Sequence, residues 1–279
     1  MGRLSPTFEG DTVVVTGASS GIGRAVALAF ADAGATVLNA DVREEPKELR
    51  SDGSSLRFPH DEATFTTHAE TPTHELAEER GATAEFLECD VSDPAEIEAV
   101  VEHARDYGGV DVMVNNAGIH ISKRFREVRP DDLRRVHEVN TYGAFFGTQL
   151  AAEDMISRGE SGTIVNTAST TMGVAEWEHS HYATTKGAIR MLTRSAALEL
   201  AGHDVRVNAV APGPVATEIT EGWSERAGAV DAGDTDQPTL PLRAATPDEL
   251  PGAYLFLASE DASFVTGETV WVDGGDHVC

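Results

Sequence analysis

Thr12-Val13-Val14-Val15-Thr16, then Gly17-Ala18-Ser19-Ser20-Gly21-Ile22-Gly23, then an apolar run to Gly34, then Thr36-Val37-Leu38-Asn39-Ala40-Asp41: this stretch decides the fold. A short β-branched run, a glycine turn, an apolar helix and a second apolar strand make one βαβ unit. The glycines have separate tasks. Gly17 allows the tight exit from the strand, Gly21 lets a pyrophosphate approach backbone N–H groups, and Gly23 lets the helix pack closely on the sheet. The helix N-terminus offers unpaired N–H groups and a partial positive charge to phosphates. Asp41 closes the second strand, where a carboxylate accepts both hydroxyls of a dinucleotide's ribose. Turn glycines without a ligand would read similarly, and the spacing is G-x-x-x-G-x-G rather than G-x-G-x-x-G. The strand before, the helix after and the carboxylate at the strand end favour the dinucleotide.

With 279 residues, 41% of them apolar, the chain has a full core and room for one large α/β domain or two small ones. No run of about 18 uninterrupted apolar residues occurs, so no membrane span is expected. The opening Met1-Gly2-Arg3-Leu4-Ser5-Pro6 lacks the apolar region of a secretory signal. Cys89 and Cys279 fit no ligand spacing; no metal site is expected, and a reduced, cytoplasmic protein is the economical reading. Asp and Glu number 47 against 21 Lys and Arg, a net charge of −26, and Lys47, Lys123 and Lys186 are the only lysines. Such a surface repels nucleic acid and anionic membranes. The acids are spread between good apolar periodicities rather than gathered in a tail. A carboxylate surface with few lysine stems suits a cytoplasm of high salt, and so a halophilic source.

Beyond Asp41 the crossover to the next strand, Glu85 to Val91, needs only about a dozen residues. Residues 74–80, closed by Gly81, supply its helix. Residues 43–73, rich in Ser, Thr, Pro, Asp and Glu, are left as an inserted loop beside the adenosine end. Asp90-Val91 ends the third strand, though Ser92-Asp93-Pro94 makes a helix cap an alternative reading there. The helix from Pro94 to Tyr107 gathers Ile97, Val100, Val101 and Ala104 on one face. Val110 to Val114 is a fourth strand running into Asn115-Asn116-Ala117-Gly118, where Asn115 suits a strand-bracing hydrogen bond.

Residues 133–150 read as one long helix, with Leu133, Val136, Val139, Tyr142, Phe145, Phe146 and Leu150 at helical steps. Asn140 falls inside it, where its amide competes for backbone partners and can bend the helix. Thr163 to Ser169 is the fifth strand. Tyr182-Ala183-Thr184-Thr185-Lys186 opens a helix that continues through Leu200, with Tyr182 and Lys186 one turn apart on one face. Arg206 to Ala211 is the sixth strand, followed by Pro212-Gly213. Residues 214–240, acidic and without apolar period, read as a substrate lid. Pro247 to Leu250 starts a last helix and Thr269 to Gly275 supplies the seventh strand. No repeat or linker interrupts this order, so one domain is expected.

These motifs together resemble the short-chain dehydrogenase/reductase family. The family's T-G-x-x-x-G-I-G stands here as Thr16 to Gly23, its N-N-A-G as Asn115 to Gly118, and Asn140, Ser169, Tyr182 and Lys186 keep its order and spacing. The likeness runs from Thr12 to Gly275 and departs mainly at residues 43–73. It implies a Rossmann-like, doubly wound α/β fold with a parallel seven-stranded sheet, a single domain, an NAD cofactor and a homotetramer. By the same resemblance Gly17, Ser19, Ser20, Gly21, Ile22 and Gly23 face the phosphates, Asp41 the adenosine ribose, and Asp90 and Val91 the adenine. Asn116, Ala117 and Gly118 follow the inner ribose, and Pro212, Gly213, Val215 and Thr217 border the nicotinamide. Tyr182 and Lys186 serve both cofactor and catalysis.

The chemistry this implies is a hydride exchange between NAD and a secondary alcohol or carbonyl compound. Tyrosine titrates near pH 10, so Tyr182 needs positive charge nearby to act as a base, and the Lys186 ammonium and an oxidised nicotinamide ring are the expected sources. Ser169 stabilises the substrate oxygen, and Asn140 holds a water that relays the proton. Taken singly, each has a plainer reading: a half-buried surface tyrosine, a solvated lysine, a capping serine. Their joint order and spacing is what points to catalysis. His120, Trp177, Glu178 and His179 lie near the expected pocket and suit a sugar, polyol or hydroxy acid, although structural roles would account for them as well. A 3-oxoacyl reductase, a dehydrogenase that retains NAD and feeds a separate electron carrier, and an NAD-binding regulator without turnover are the alternatives.

Overall fold

The computed structural model of the protein describes residues 6–46, 71–217 and 244–278. The inserted loop expected over 43–73 and the lid expected over 214–240 fall largely outside them. The β-branched run is β1 (Thr12–Thr16), buried along its whole length. The other strands are β2 (Thr36–Asp41), β3 (Ala84–Glu88), β4 (Val112–Asn115), β5 (Gly162–Thr167), β6 (Val205–Pro212) and β7 (Thr269–Val272). They form one parallel sheet in the order β3-β2-β1-β4-β5-β6-β7. The order reverses between β1 and β4, which makes the crevice above those two strand ends the place for a ligand.

Because alternate side chains of a strand face opposite ways, β1 feeds two cores. Val13 and Val15 join Phe30, Tyr254 and Leu257 on one face, beneath α1 (Gly21–Asp32) and α7 (Pro251–Ala258). Val14 joins Ile97, Val101, Met113, Met155 and Ile164 on the other, beneath α3 (Pro94–Ala104) and α5 (Gly143–Arg158). The crossover helix α2 spans Thr73–Glu79, and α6 spans Ser180–Leu200. Among the described residues no helix is long and apolar enough to cross a membrane.

The long helix expected over 133–150 is broken. It comprises α4 (Pro130–His137), a wider π turn at Glu138–Tyr142 that holds Asn140, and then α5. The buried stripe also differs from the expected one. Leu133, Tyr142 and Phe145 are exposed, while Ala144, Gly147, Thr148 and Ala151 face inward. Small residues are needed because α5 lies close over the sheet: a Cβ on Gly147 would come 3.0 Å from Asn115 Cγ. The C-terminal end of α5 is fixed electrostatically. Asp154, whose side chain is fully buried, accepts from Val110 N–H at 3.0 Å, Arg105 Nε at 2.9 Å and Arg158 Nε at 3.0 Å. β3 and β7 stop sooner than expected, which frees Cys89-Asp90-Val91 and Asp273-Gly274-Gly275 to turn at the sheet's carboxyl edge.

Candidate active site

The glycine turn takes the shape its residues dictate. Gly17 and Gly21 have φ of 66° and 53°, the left-handed region that side chains resist. Gly23 acts by closeness: an added Cβ would lie 2.8 Å from Gly17 C and nearer still to Gly17 O and the Asn116 amide. Ser20 is the N-cap of α1 yet makes no side-chain cap bond, and the first turn carries no acid. The N–H groups there are therefore open to an anion. Thr73 pins the start of α2 to this turn, donating to Ala18 O and accepting from Arg24 Nη1, both at 2.8 Å.

Ser19 differs from its expected role. It is fully buried and does not line the cavity; its N–H donates to Asp41 Oδ2 at 3.0 Å and its hydroxyl to Arg43 O at 2.6 Å. It positions Asp41. Burial raises the Asp41 carboxyl, and the Ser19 amide and the Arg43 charge oppose that rise. Gly23 likewise stands behind the cavity wall, as close helix packing requires.

A cavity of about 470 Å³ crosses the sheet at the switch point. Asp41, Arg43, Asp90, Val91 and Arg135 line one end; Gly17, Ser20, Gly21, Ile22, Asn116, Ala117 and Gly118 its middle. Ser169, Tyr182, Lys186, Pro212, Gly213, Val215 and Thr217 line the other end, with His120. Thr16 Oγ1 clamps the middle by accepting from Asn116 and Ala117 N–H, each at 3.0 Å. Asn115 braces β4 as expected, donating to Asn166 Oδ1 at 2.9 Å and Thr148 Oγ1 at 3.1 Å. Asp90 is held by Ser92, whose amide and hydroxyl donate to it; these bonds outweigh burial and lower its carboxyl. The glycine cradle, the open helix N-terminus and a carboxylate at one end fit a dinucleotide lying across both strand ends. Arg135 was not foreseen. It sits one helical turn before Val139, which also lines the cavity.

At the other end Tyr182 and Lys186 leave α6 on one face, as their spacing requires. Lys186 is 4% exposed, its Nζ donates to Thr167 O at 2.8 Å, and it lies 5.5 Å from the Tyr182 ring centroid. Burial lowers the Lys186 ammonium to about 8. Without a cofactor, burial raises the Tyr182 phenol, a hydrogen bond with Ser169 opposes the rise, and Glu176 adds to it. The Lys186 ammonium donates to the Thr167 carbonyl beside the ring. The Asn140 side chain is engaged within the fold. Its Oδ1 accepts from Ile119 N–H at 2.8 Å, and its Nδ2 donates to Ile119 O at 3.0 Å and Thr185 Oγ1 at 3.2 Å. Both amide hydrogens are thereby used. The side chain clamps the loop after β4 to α6 and does not line the cavity.

The family model described as Enoyl-(Acyl carrier protein) reductase matches residues 62–277, and that described as short chain dehydrogenase matches residues 11–67. An L-rhamnose 1-dehydrogenase (NAD(P)(+)) of a Sphingomonas species is 35% identical over 97% of this chain and 98% of its own length. A 3-oxoacyl-[acyl-carrier-protein] reductase of Thermotoga maritima is 34% identical over 96% of this chain and 98% of its own. The crystal structure of a short-chain type dehydrogenase/reductase from Mycobacterium marinum superposes with a TM-score of 0.82 at 32% identity, covering 97% of this chain and 96% of that one. The chain belongs to the short-chain dehydrogenase/reductase family. It is an oxidoreductase that uses a nicotinamide cofactor and acts on alcohols or carbonyl compounds.

Proposed function

We propose that the protein is an NAD-dependent dehydrogenase of secondary alcohols, with a sugar, polyol or hydroxy acid as the substrate class and Tyr182 as its acid/base. The observation that carries this is the meeting of Ser169, Tyr182 and Lys186 on one cavity wall, with Asp41 and the open N-terminus of α1 further along the same cavity. The bound nicotinamide supplies the hydride acceptor. Ser169 and Tyr182 hold the substrate oxygen between their hydroxyls, and Tyr182 takes its proton. Lys186, fixed by the Thr167 carbonyl, keeps a cation on the wall beside them. Asp41 supports NAD over NADP because it sets a carboxylate where a ribose phosphate would come.

A 3-oxoacyl reductase is the second reading, favoured by the likeness to the Thermotoga maritima protein; the L-rhamnose dehydrogenase likeness supports the first. The net charge of −26 supports a salt-rich cytoplasm. Tyr142 and Phe145 on the α5 side, with Met191 and Leu198 on α6, leave apolar side chains exposed and support the homotetramer. The test is Tyr182→Phe, which keeps the ring and removes the hydroxyl. Turnover of the best alcohol in a sugar, polyol and hydroxy-acid screen should fall by on the order of 10² or more, with NADH binding retained. A variant that keeps more than about a tenth of the activity refutes the role of Tyr182.

A further inference from the structure

His120 is the cavity residue that the proposed reaction leaves unused. Its ring stands edge-on to Tyr182, with centroids 5.0 Å apart and planes at 88°. On its other side it stacks on His179, at 4.5 Å and 26°. His179 Nδ1 bonds the Trp177 carbonyl; a carbonyl only accepts, so Nδ1 carries the proton. The Glu176 carboxylate lies 3.9 Å from His179 Nε2.

The two loops that bring these rings together are fastened at Glu178. Its carbonyl accepts from Lys123 N–H at 3.0 Å and its carboxylate from Ser122 Oγ at 3.1 Å. Its backbone has φ of 64°, a conformation that a residue with a side chain keeps only when its surroundings impose it. The stack is thus held in place, yet His120 Nε2 has no hydrogen-bond partner among the described residues and no solvent contact. That nitrogen is sealed, whereas Nδ1 on the same cavity-lining ring is not, so Nδ1 is the one a substrate group can reach. Burial pushes the imidazole down to about 4, with the neighbouring His179 adding to the effect. The ring is therefore neutral at neutral pH and suits an uncharged hydroxyl; a carboxylate would be better served by a cation.

We propose that His120 is a substrate-positioning residue whose Nδ1 hydrogen-bonds the hydroxyl on the carbon next to the one oxidised. The substrate is then an uncharged vicinal diol, such as a sugar or polyol, rather than a hydroxy acid or an isolated alcohol. The inference rests on the reading of Tyr182 as the acid/base. With the reacting oxygen held by Ser169 and Tyr182, the neighbouring oxygen falls along the flank of the Tyr182 ring, where His120 stands.

The experiment compares kcat/KM for a vicinal cyclohexanediol and for cyclohexanol, with NAD, in the wild type, His120→Phe and His120→Gln. Phenylalanine keeps the ring packing and loses the nitrogen; glutamine restores a polar group. The wild type should prefer the diol by about tenfold or more, because a site built to pair a hydroxyl rejects the analogue without it. His120→Phe should lose that preference while cyclohexanol changes by less than about threefold, and His120→Gln should recover part of it. Equal losses on both alcohols would assign His120 to packing and overturn the proposal, as would a wild type indifferent to the second hydroxyl; in either case the reading of Tyr182 stands. A wild type that oxidises neither alcohol overturns the dehydrogenase reading and this inference with it.

Discussion

Gly23→Ala isolates the close packing on which the cofactor turn depends. By helix propensity alone the change should help, since alanine is favoured over glycine by about 1 kcal/mol inside a helix. The structure predicts the opposite sign. The new Cβ would sit 2.8 Å from Gly17 C and closer to Gly17 O and the Asn116 amide. None of these is the free end of a flexible chain. Gly17 is held in the turn at φ 66°, and the Asn116 amide donates to Thr16 O at 3.1 Å and Gly17 O at 3.3 Å. Overpacking costs about 1–3 kcal/mol, and contacts this short with fixed neighbours place it at about 2–3 kcal/mol. Set against the propensity gain, a net loss of about 1–2 kcal/mol remains, or a fall in Tm of roughly 2–8 °C. Because relief requires the turn itself to move, NADH affinity should drop by at least about tenfold, equivalent to ~1.4 kcal/mol. The assay is thermal melting with NADH titration, with Gly252→Ala as control: that glycine is also helical, and its added Cβ meets nothing within 4 Å. Gly252→Ala should melt at or above the wild-type temperature. If Gly23→Ala melts and binds NADH as the wild type does, the packing argument is wrong.

Asp154→Ala removes the acceptor of Val110 N–H and two guanidinium groups and should cost about 3 kcal/mol in chemical denaturation. Its hydrogen bonds outweigh burial and hold the carboxyl below its ordinary value, so its contribution is complete above about pH 4 and lost as pH falls through the lowered folded value. The variant should therefore lose most of its deficit relative to wild type in acid, and a gap that is constant with pH would contradict this. With −26 of charge, Tm and activity should rise from dilute buffer to molar KCl; a flat or falling Tm removes the halophilic reading. The wild type should prefer NAD over NADP by about a hundredfold in kcat/KM, and Asp41→Ala should weaken NAD and admit NADP. Equal use of both cofactors by the wild type would mean that Arg43, on the same cavity wall, outweighs Asp41.

The parts of this molecule that were legible are those in which residue type dictates local shape. β-branched runs gave the strands, and Gly17 and Gly21 marked the left-handed turn because no other residue takes that backbone cheaply. Spacing alone put Tyr182 and Lys186 on one wall. What escaped depended on how closely two elements approach. The stripe of Leu133, Tyr142 and Phe145 has helical period, but α5 lies so near Asn115 that only small residues fit beneath it. Asn140 signalled a bend in its helix, but not the π turn or its three bonds to Ile119 and Thr185, partners that only the folded chain brings near. Ser19 looked like a phosphate contact because it lies between Gly17 and Gly21. Its burial behind Asp41 depends on the line of β2, two strand residues of which, Asn39 and Asp41, it bonds.

The same distinction governs the chemistry. Motif spacing brings a phenol and an ammonium together, but it does not say which way the ammonium turns. Here Lys186 turns to the Thr167 carbonyl, and burial lowers its own value while raising that of Tyr182. Burial is the largest cause of both shifts: an enclosed wall disfavours either charged form. At neutral pH Tyr182 is therefore a proton donor as it stands, suited to protonating a carbonyl oxygen. To accept a proton from an alcohol it needs positive charge nearby, which Lys186 supplies in part and a bound oxidised nicotinamide would increase. The protein's own residues thus favour neither direction of reaction outright. In the proposed mechanism they keep Tyr182 responsive to the charge of whichever cofactor form is bound, and Ser169, already hydrogen-bonded to the phenol, would lower the cost of its ionisation in one direction and steady its hydroxyl in the other.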